Sequence, residues 1–117
     1  MHDFTRLQVW QRSRELVVAV DGLARTFPRA DGGIVANQLR RAVLSIPANI
    51  AEGCGKSSRR ETLRFLQIAL GSAAEVQSHL IIARDLRYLP VETCEEFVGR
   101  IRSIQRMLAG LMSKLPR

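Results

Sequence analysis

The stretch Ser58–Tyr88, SRRETLRFLQIALGSAAEVQSHLIIARDLRY, decides the fold. Ser58 and Glu61 have the spacing of a capping box, in which each side chain can satisfy the other's exposed backbone N–H at a helix start. No proline interrupts the following ~30 residues, so the predicted helix reaches about Tyr88 and is roughly 45 Å long. Phe65, Leu66, Ile68, Ala69 and Leu70 occupy nearly its whole circumference, and Leu80, Ile81, Ile82 and Ala83 repeat the excess further along. A helix of a monomeric bundle needs one apolar face, so the remainder is expected against another subunit, with Phe65, Ile68, Ala69 and Ile82 as interface residues. Gly71, Ser72, Ala73 and Ala74 lie between the two clusters, and side chains this small permit close helix approach. Burial of the whole helix inside one subunit is the alternative.

Working outward, three more periodic segments flank it. The first runs from Thr5 to Phe27, with Val9, Trp10, Leu16, Val17, Val20, Leu23, Ala24 and Phe27 at helical steps, and Pro28 blocks its continuation. The second is expected to begin after Asp31, Gly32 and Gly33, with Asp31 as the cap, and to carry Ile34, Val35, Leu39, Ala42, Val43, Ile46 and Ile50 as its stripe. Pro47 sits inside that stripe, which predicts one kinked helix. Gly53 and Gly55 are expected to end it in the left-handed conformation. After Pro90, Phe97, Val98, Ile101, Ile104, Leu108, Leu111, Met112 and Leu115 trace the fourth helix, and Pro116 closes it. The short connections predict an all-α, antiparallel up-and-down four-helix bundle, a single domain over residues 1–117.

Composition agrees with that reading. The chain has 117 residues, 46% of them hydrophobic, which supports one continuous core. Only four Phe, one Trp and one Tyr are present, so aliphatic residues must fill it, as helix packing favours. Cys54 and Cys94 give neither a disulfide framework nor a zinc-ligand set, and are expected to be reduced thiols. The polar N-terminal stretch lacks the apolar centre of a signal peptide, and no stretch offers the ~18 uncharged apolar residues of a membrane span. A cytoplasmic protein with no membrane partner is expected. The net charge of +7 draws acidic partners, nucleic acid first among them, although the basic residues are spread along the chain and are nearly all Arg.

Catalytic and metal signatures are sparse. There is no Glu-x-x-His of the kind that di-iron bundles use, and Glu75 with His79 supplies two ligands at most, a pair better read as a hydrogen bond. His2 reads as a terminal residue. Gly53-Cys54-Gly55-Lys56 follows a helix and lacks P-loop spacing, so it reads as a helix terminator. Ser45, Ser57, Ser58 and Cys54 have no designated base beside them. The sequence therefore indicates no enzyme and no cofactor. Basic clusters remain: Lys56, Arg59, Arg60 and Arg64 at the turn into the third helix, opposed by Glu61, then Arg100, Arg102 and Arg106, and finally Arg40 with Arg41. Each could grip phosphates, and each could equally be a solvated face paired with Asp85, Glu92, Glu95 or Glu96.

Gln38-Leu39-Arg40-Arg41-Ala42 followed by Ser45-Ile46-Pro47-Ala48-Asn49-Ile50-Ala51-Glu52-Gly53 resembles the signature of the bacterial four-helix-bundle family encoded in intervening sequences of 23S ribosomal RNA genes. Leu7, Val9-Trp10, Phe27-Pro28, Phe65-Leu66, Ala69, Gly71-Ser72 and Glu75 extend the resemblance over most of the first three helices, whereas the fourth matches in hydrophobic rhythm alone. The resemblance implies an antiparallel bundle and a ring-shaped homopentamer. It also implies a distant relation to the accessory variability proteins of retroelements, which partner a reverse transcriptase and bind nucleic acid. Arg40, Arg41, Asn49, Glu52 and Glu75 match the family motif, and their spacing suggests a buried or interfacial hydrogen-bond network.

Together these features predict a non-enzymatic homo-oligomer that binds RNA or DNA without marked sequence preference. The alternative is a structural or protein-interaction scaffold whose charge is incidental.

Overall fold

The computed structural model describes residues 3–116, so His2 lies outside it. Four helices follow a single 3₁₀ turn at Phe4–Arg6: α1 (Gln8–Ala24), α2 (Arg29–Cys54), α3 (Arg59–Asp85) and α4 (Val91–Ser113). Among the described residues there is no strand. The helices pack into a rod of 47 × 22 × 20 Å. Packing is densest between α2 and α3 and sparsest between α1 and α4.

The stripes read from the sequence form one core. Leu16, Val20, Leu39, Val43, Ile46, Ile50, Leu66, Leu80, Ile101 and Leu108 are fully or almost fully buried. Contacts between α2 and α3 climb one helix as they descend the other. Thr62 Oγ1 donates to the Gly53 carbonyl at 3.0 Å, the Ser45 and Ser72 hydroxyls meet at 2.8 Å, and the Tyr88 hydroxyl donates to the Asp31 carbonyl at 2.9 Å. These two helices therefore run in opposite directions.

Several boundaries differ from expectation for identifiable reasons. Residues 4–6 form a separate 3₁₀ turn because Asp3 Oδ1 accepts from the Thr5 N–H at 3.1 Å, and α1 starts only at Gln8. Its other end comes at Ala24, ahead of the expected Phe27, as Thr26 and Phe27 donate to Leu23 and Ala24 in tight turns. α2 begins directly after Pro28, with Gly32 N–H bonded to the Pro28 carbonyl at 2.7 Å. Asp31 thus lies in the first turn and is not the cap. Gly32 is required for packing, since a Cβ there would lie 3.0 Å from Phe27 Cβ and 3.1 Å from Pro28 Cδ.

α2 continues as helix through Pro47 and stops at Cys54. The expected left-handed glycine is not found there, because Gly55 has φ −83° and no glycine has positive φ. Gly53 instead permits close approach of α3: a Cβ would sit 3.1 Å from Phe65 Cβ and 3.2 Å from the Thr62 carbonyl oxygen. Ser58 Oγ accepts from the Glu61 N–H at 3.1 Å, which supplies the Ser58 half of the capping box. α3 ends at Asp85 rather than near Tyr88. Arg87 turns left-handed at φ 64°, and Tyr88 and Arg87 N–H groups donate to the Ala83 and Arg84 carbonyls, closing the helix with a Schellman motif.

α3 is long and apolar enough to cross a membrane by length and composition alone, with a mean hydropathy of 1.2 over its best window. Leu66, Ala69, Ala73, Val76, Leu80 and Ala83 are buried in the bundle. These residues form its core-facing side, and about a third of that window is buried.

Candidate nucleic-acid interface

The turn between α2 and α3 is short and strongly basic. Lys56 N–H bonds the Gly53 carbonyl at 3.2 Å, which fixes the chain as it leaves α2, and Ser58 caps the next helix two residues later. Arg59 and Arg60 are then the first two residues of α3, and Arg64 follows about one turn on. All three are exposed, and among the described residues none of them pairs with a carboxylate. Cations in a first turn face the positive end of the helix dipole, an arrangement that costs ~0.3–1 kcal/mol each at an exposed site.

Phe65 organises the rest of this junction. The Lys56 ammonium lies 5.2 Å and the Arg64 guanidinium 5.3 Å from its ring centroid, both within cation–π range. Lys56 Nζ also lies 3.5 Å from Glu52 Oε2. Phe65 was expected at an interface between subunits, yet it is half-buried and packs against the junction of its own chain. Lys56, Ser57, Ser58, Arg59 and Thr62 line a concavity of about 280 Å³ together with Leu115 and Pro116. The sequence gives no signal for that last contact, because it joins segments far apart in the chain.

The second basic group divides. Arg100 is half-buried, lies 5.6 Å from the Phe97 ring centroid and lines a groove between α1 and α4 with Arg12, Glu15 and Ser103. Glu15 in that groove is bound to Arg12 at 3.4 Å. Arg102 and Arg106 are exposed, one turn apart on α4. The three arginines do not make one patch, since Arg100 leans into the groove and the other two point to solvent.

The five motif polar residues likewise do not join into one buried network. Arg40 Nε donates to Asp21 Oδ1 at 3.2 Å, linking α2 to α1, and Arg25 Nε donates to the other oxygen at 3.1 Å. The Arg25 and Arg40 hydrogen bonds hold the Asp21 carboxyl below its ordinary range. Asn49 Nδ2 donates to the Ser45 carbonyl and hydroxyl at 2.8 and 2.9 Å, and Ser45 reaches Ser72 on α3. Glu75 Oε2 and His79 Nε2 are 3.1 Å apart, a hydrogen-bonded pair on α3. Glu52 holds Lys56, and Arg41 is exposed. These residues are spread over separate local contacts because α2 presents four of them at different positions and Glu75 lies on α3.

The apolar excess of α3 also resolves residue by residue. Ala69 has no exposed surface and belongs to the core of its own subunit, so it is unavailable to a neighbouring copy. Ile68 and Ile82 remain 40% and 44% exposed. Gly71 lies between them in sequence, and a Cβ there would meet nothing within 4 Å.

The arrangement defines an all-α four-helix protein with a basic junction at one end and two exposed isoleucines, Ile68 and Ile82, on its third helix. Residues 5–110 match the family described as 23S rRNA-intervening sequence protein, and the chain belongs to that family. A crystal structure from Bacteroides thetaiotaomicron, described as a protein of unknown function from the S23 ribosomal protein family, is similar. It shares 25% identity, with a TM-score of 0.84 over 91% of this chain and 99% of that one. No curated protein matches the sequence.

Proposed function

We propose that the chain forms a cytoplasmic homo-oligomer, a pentamer as the family resemblance implies, that binds RNA or DNA through its basic surfaces without marked sequence preference. The carrying observation is the α2–α3 junction, where Arg59, Arg60 and Arg64 stand exposed and free of carboxylate partners among the described residues. Placing two arginines against a helix dipole works against stability, and a phosphate ligand supplies a reason for them. The net charge of +7 adds long-range attraction to the same partners.

Affinity for a generic RNA duplex, measured over a salt series, tests the reading. Binding should weaken steeply with salt, and each junction arginine changed to Gln should lower the slope of log K against log salt by about 1. Absence of binding even at low salt sinks the proposal. The second reading, a protein-interaction scaffold, draws on the exposed Ile68 and Ile82, and would then be preferred.

A further inference from the structure

At the α1–α2 turn, roughly 40 Å along α2 from the junction just described, the chain builds a second cationic concavity. It measures about 360 Å³ and is lined by Arg25, Arg29 and Arg40 together with Phe27, Pro28, Gly32 and Gly33. Three arginines line it from two elements: Arg25 at the end of α1, Arg29 at the start of α2 and Arg40 about three turns further along α2. Arg25 and Arg40 are separated by fifteen positions, so their grouping is not legible in the sequence.

Asp21 is what makes the cluster ordered. Its two oxygens accept from the Nε atoms of Arg25 and Arg40, at 3.1 and 3.2 Å, so each guanidinium is oriented through its Nε. The terminal nitrogens of both are left to donate elsewhere, and the fork geometry of arginine suits an oxyanion with several acceptor oxygens. Arg29 is exposed and among the described residues has no carboxylate partner. With one aspartate against three arginines, the wall carries a net charge of +2.

We infer that this concavity is a phosphate-binding site, in which Arg29 and Arg40 contact the oxyanion of a nucleotide or of a nucleic-acid backbone while Asp21 positions Arg40 and Arg25. The site is separate from the Lys56–Arg64 junction and does not depend on the function proposed for that junction.

Inorganic phosphate titrated into isotope-labelled protein tests it. The Gly32 and Gly33 amides and the Arg29 and Arg40 side-chain resonances should shift together and saturate. Arg29→Gln, which removes no ion pair described here, should weaken that binding about tenfold, a loss worth ~1.4 kcal/mol. Lys114→Gln, at the other end of the rod, should leave it unchanged. Two further probes identify the source of the phosphate. Saturation by adenosine diphosphate at the same resonances supports the site and assigns it to a small nucleotide, whereas saturation by an oligonucleotide lacking terminal phosphates supports it and assigns it to the backbone. The inference is overturned if millimolar phosphate moves none of these resonances, or if Arg29→Gln binds as the wild type does.

Discussion

Arg87 leaves α3 at φ 64°, a conformation that crowds any residue with a Cβ. The cost is tolerated because the turn it makes closes two backbone hydrogen bonds, to Ala83 and Arg84. Replacing it with glycine keeps both bonds and relieves the crowding. Arg87→Gly should therefore raise the unfolding free energy by about 0.5–1 kcal/mol in a denaturant titration. Unchanged or lowered stability would contradict this account. The same residue shows why that boundary was hidden. Sequence reasoning assigns left-handed caps to glycine, but Gly55 ends α2 with negative φ and Gly53 serves a close contact, while an arginine takes the strained position. Nothing in local composition announces such an exchange, because long-range packing decides it.

Helical periodicity was the most legible signal at the level of elements. Stripes such as Leu39, Val43, Ile46 and Ile50 can be recognised without coordinates, and all four residues are buried. Ends were less legible: Asp31-Gly32-Gly33 looks like a cap and a turn, yet all three lie within α2, since Gly32 is there to accommodate Phe27 and Pro28. Glycines within helices thus have two different explanations here, and a pair of substitutions separates them. Gly53→Ala forces a methyl against the Thr62 carbonyl and Phe65 Cβ, both attached to the backbone of α3, and should cost about 1–2 kcal/mol. Gly99→Ala adds a methyl with nothing within 4 Å and should stabilise α4 by about 0.5–1 kcal/mol. Equal effects of the two, read from thermal melts, would refute the close-approach role of Gly53.

For the whole molecule, the sequence indicated an excess of apolar surface on α3 but could not say how much the chain itself covers. Ala69 is absorbed by the core and Phe65 by the basic junction, which leaves Ile68 and Ile82 as the exposed remainder. The candidate binding surface was legible only in part for a similar reason. Arg59, Arg60 and Arg64 are close in sequence and stay together in space, whereas Arg100 parts from Arg102 and Arg106 because successive helical positions point in different directions. Assembly through the face that carries these two isoleucines predicts that Ile68→Glu with Ile82→Glu yields monomers while the wild type is oligomeric, as read by light scattering. A wild-type mass of one chain, or an oligomer indifferent to both substitutions, would reject this face as the interface.

Cys54 closes α2 and Cys94 opens α4, both buried and unpaired, and burial raises the pKa of each thiol. Cys94 Sγ lies 3.6 Å from the Leu80 carbonyl oxygen near the end of α3, whereas Cys54 belongs to the junction that precedes α3. Much of the longest core helix separates the two sulfurs, too far for a bridge between them. Each end of the rod is thus furnished with its own concealed chemical tag, and alkylation at one tag or the other would tell which end breathes open first.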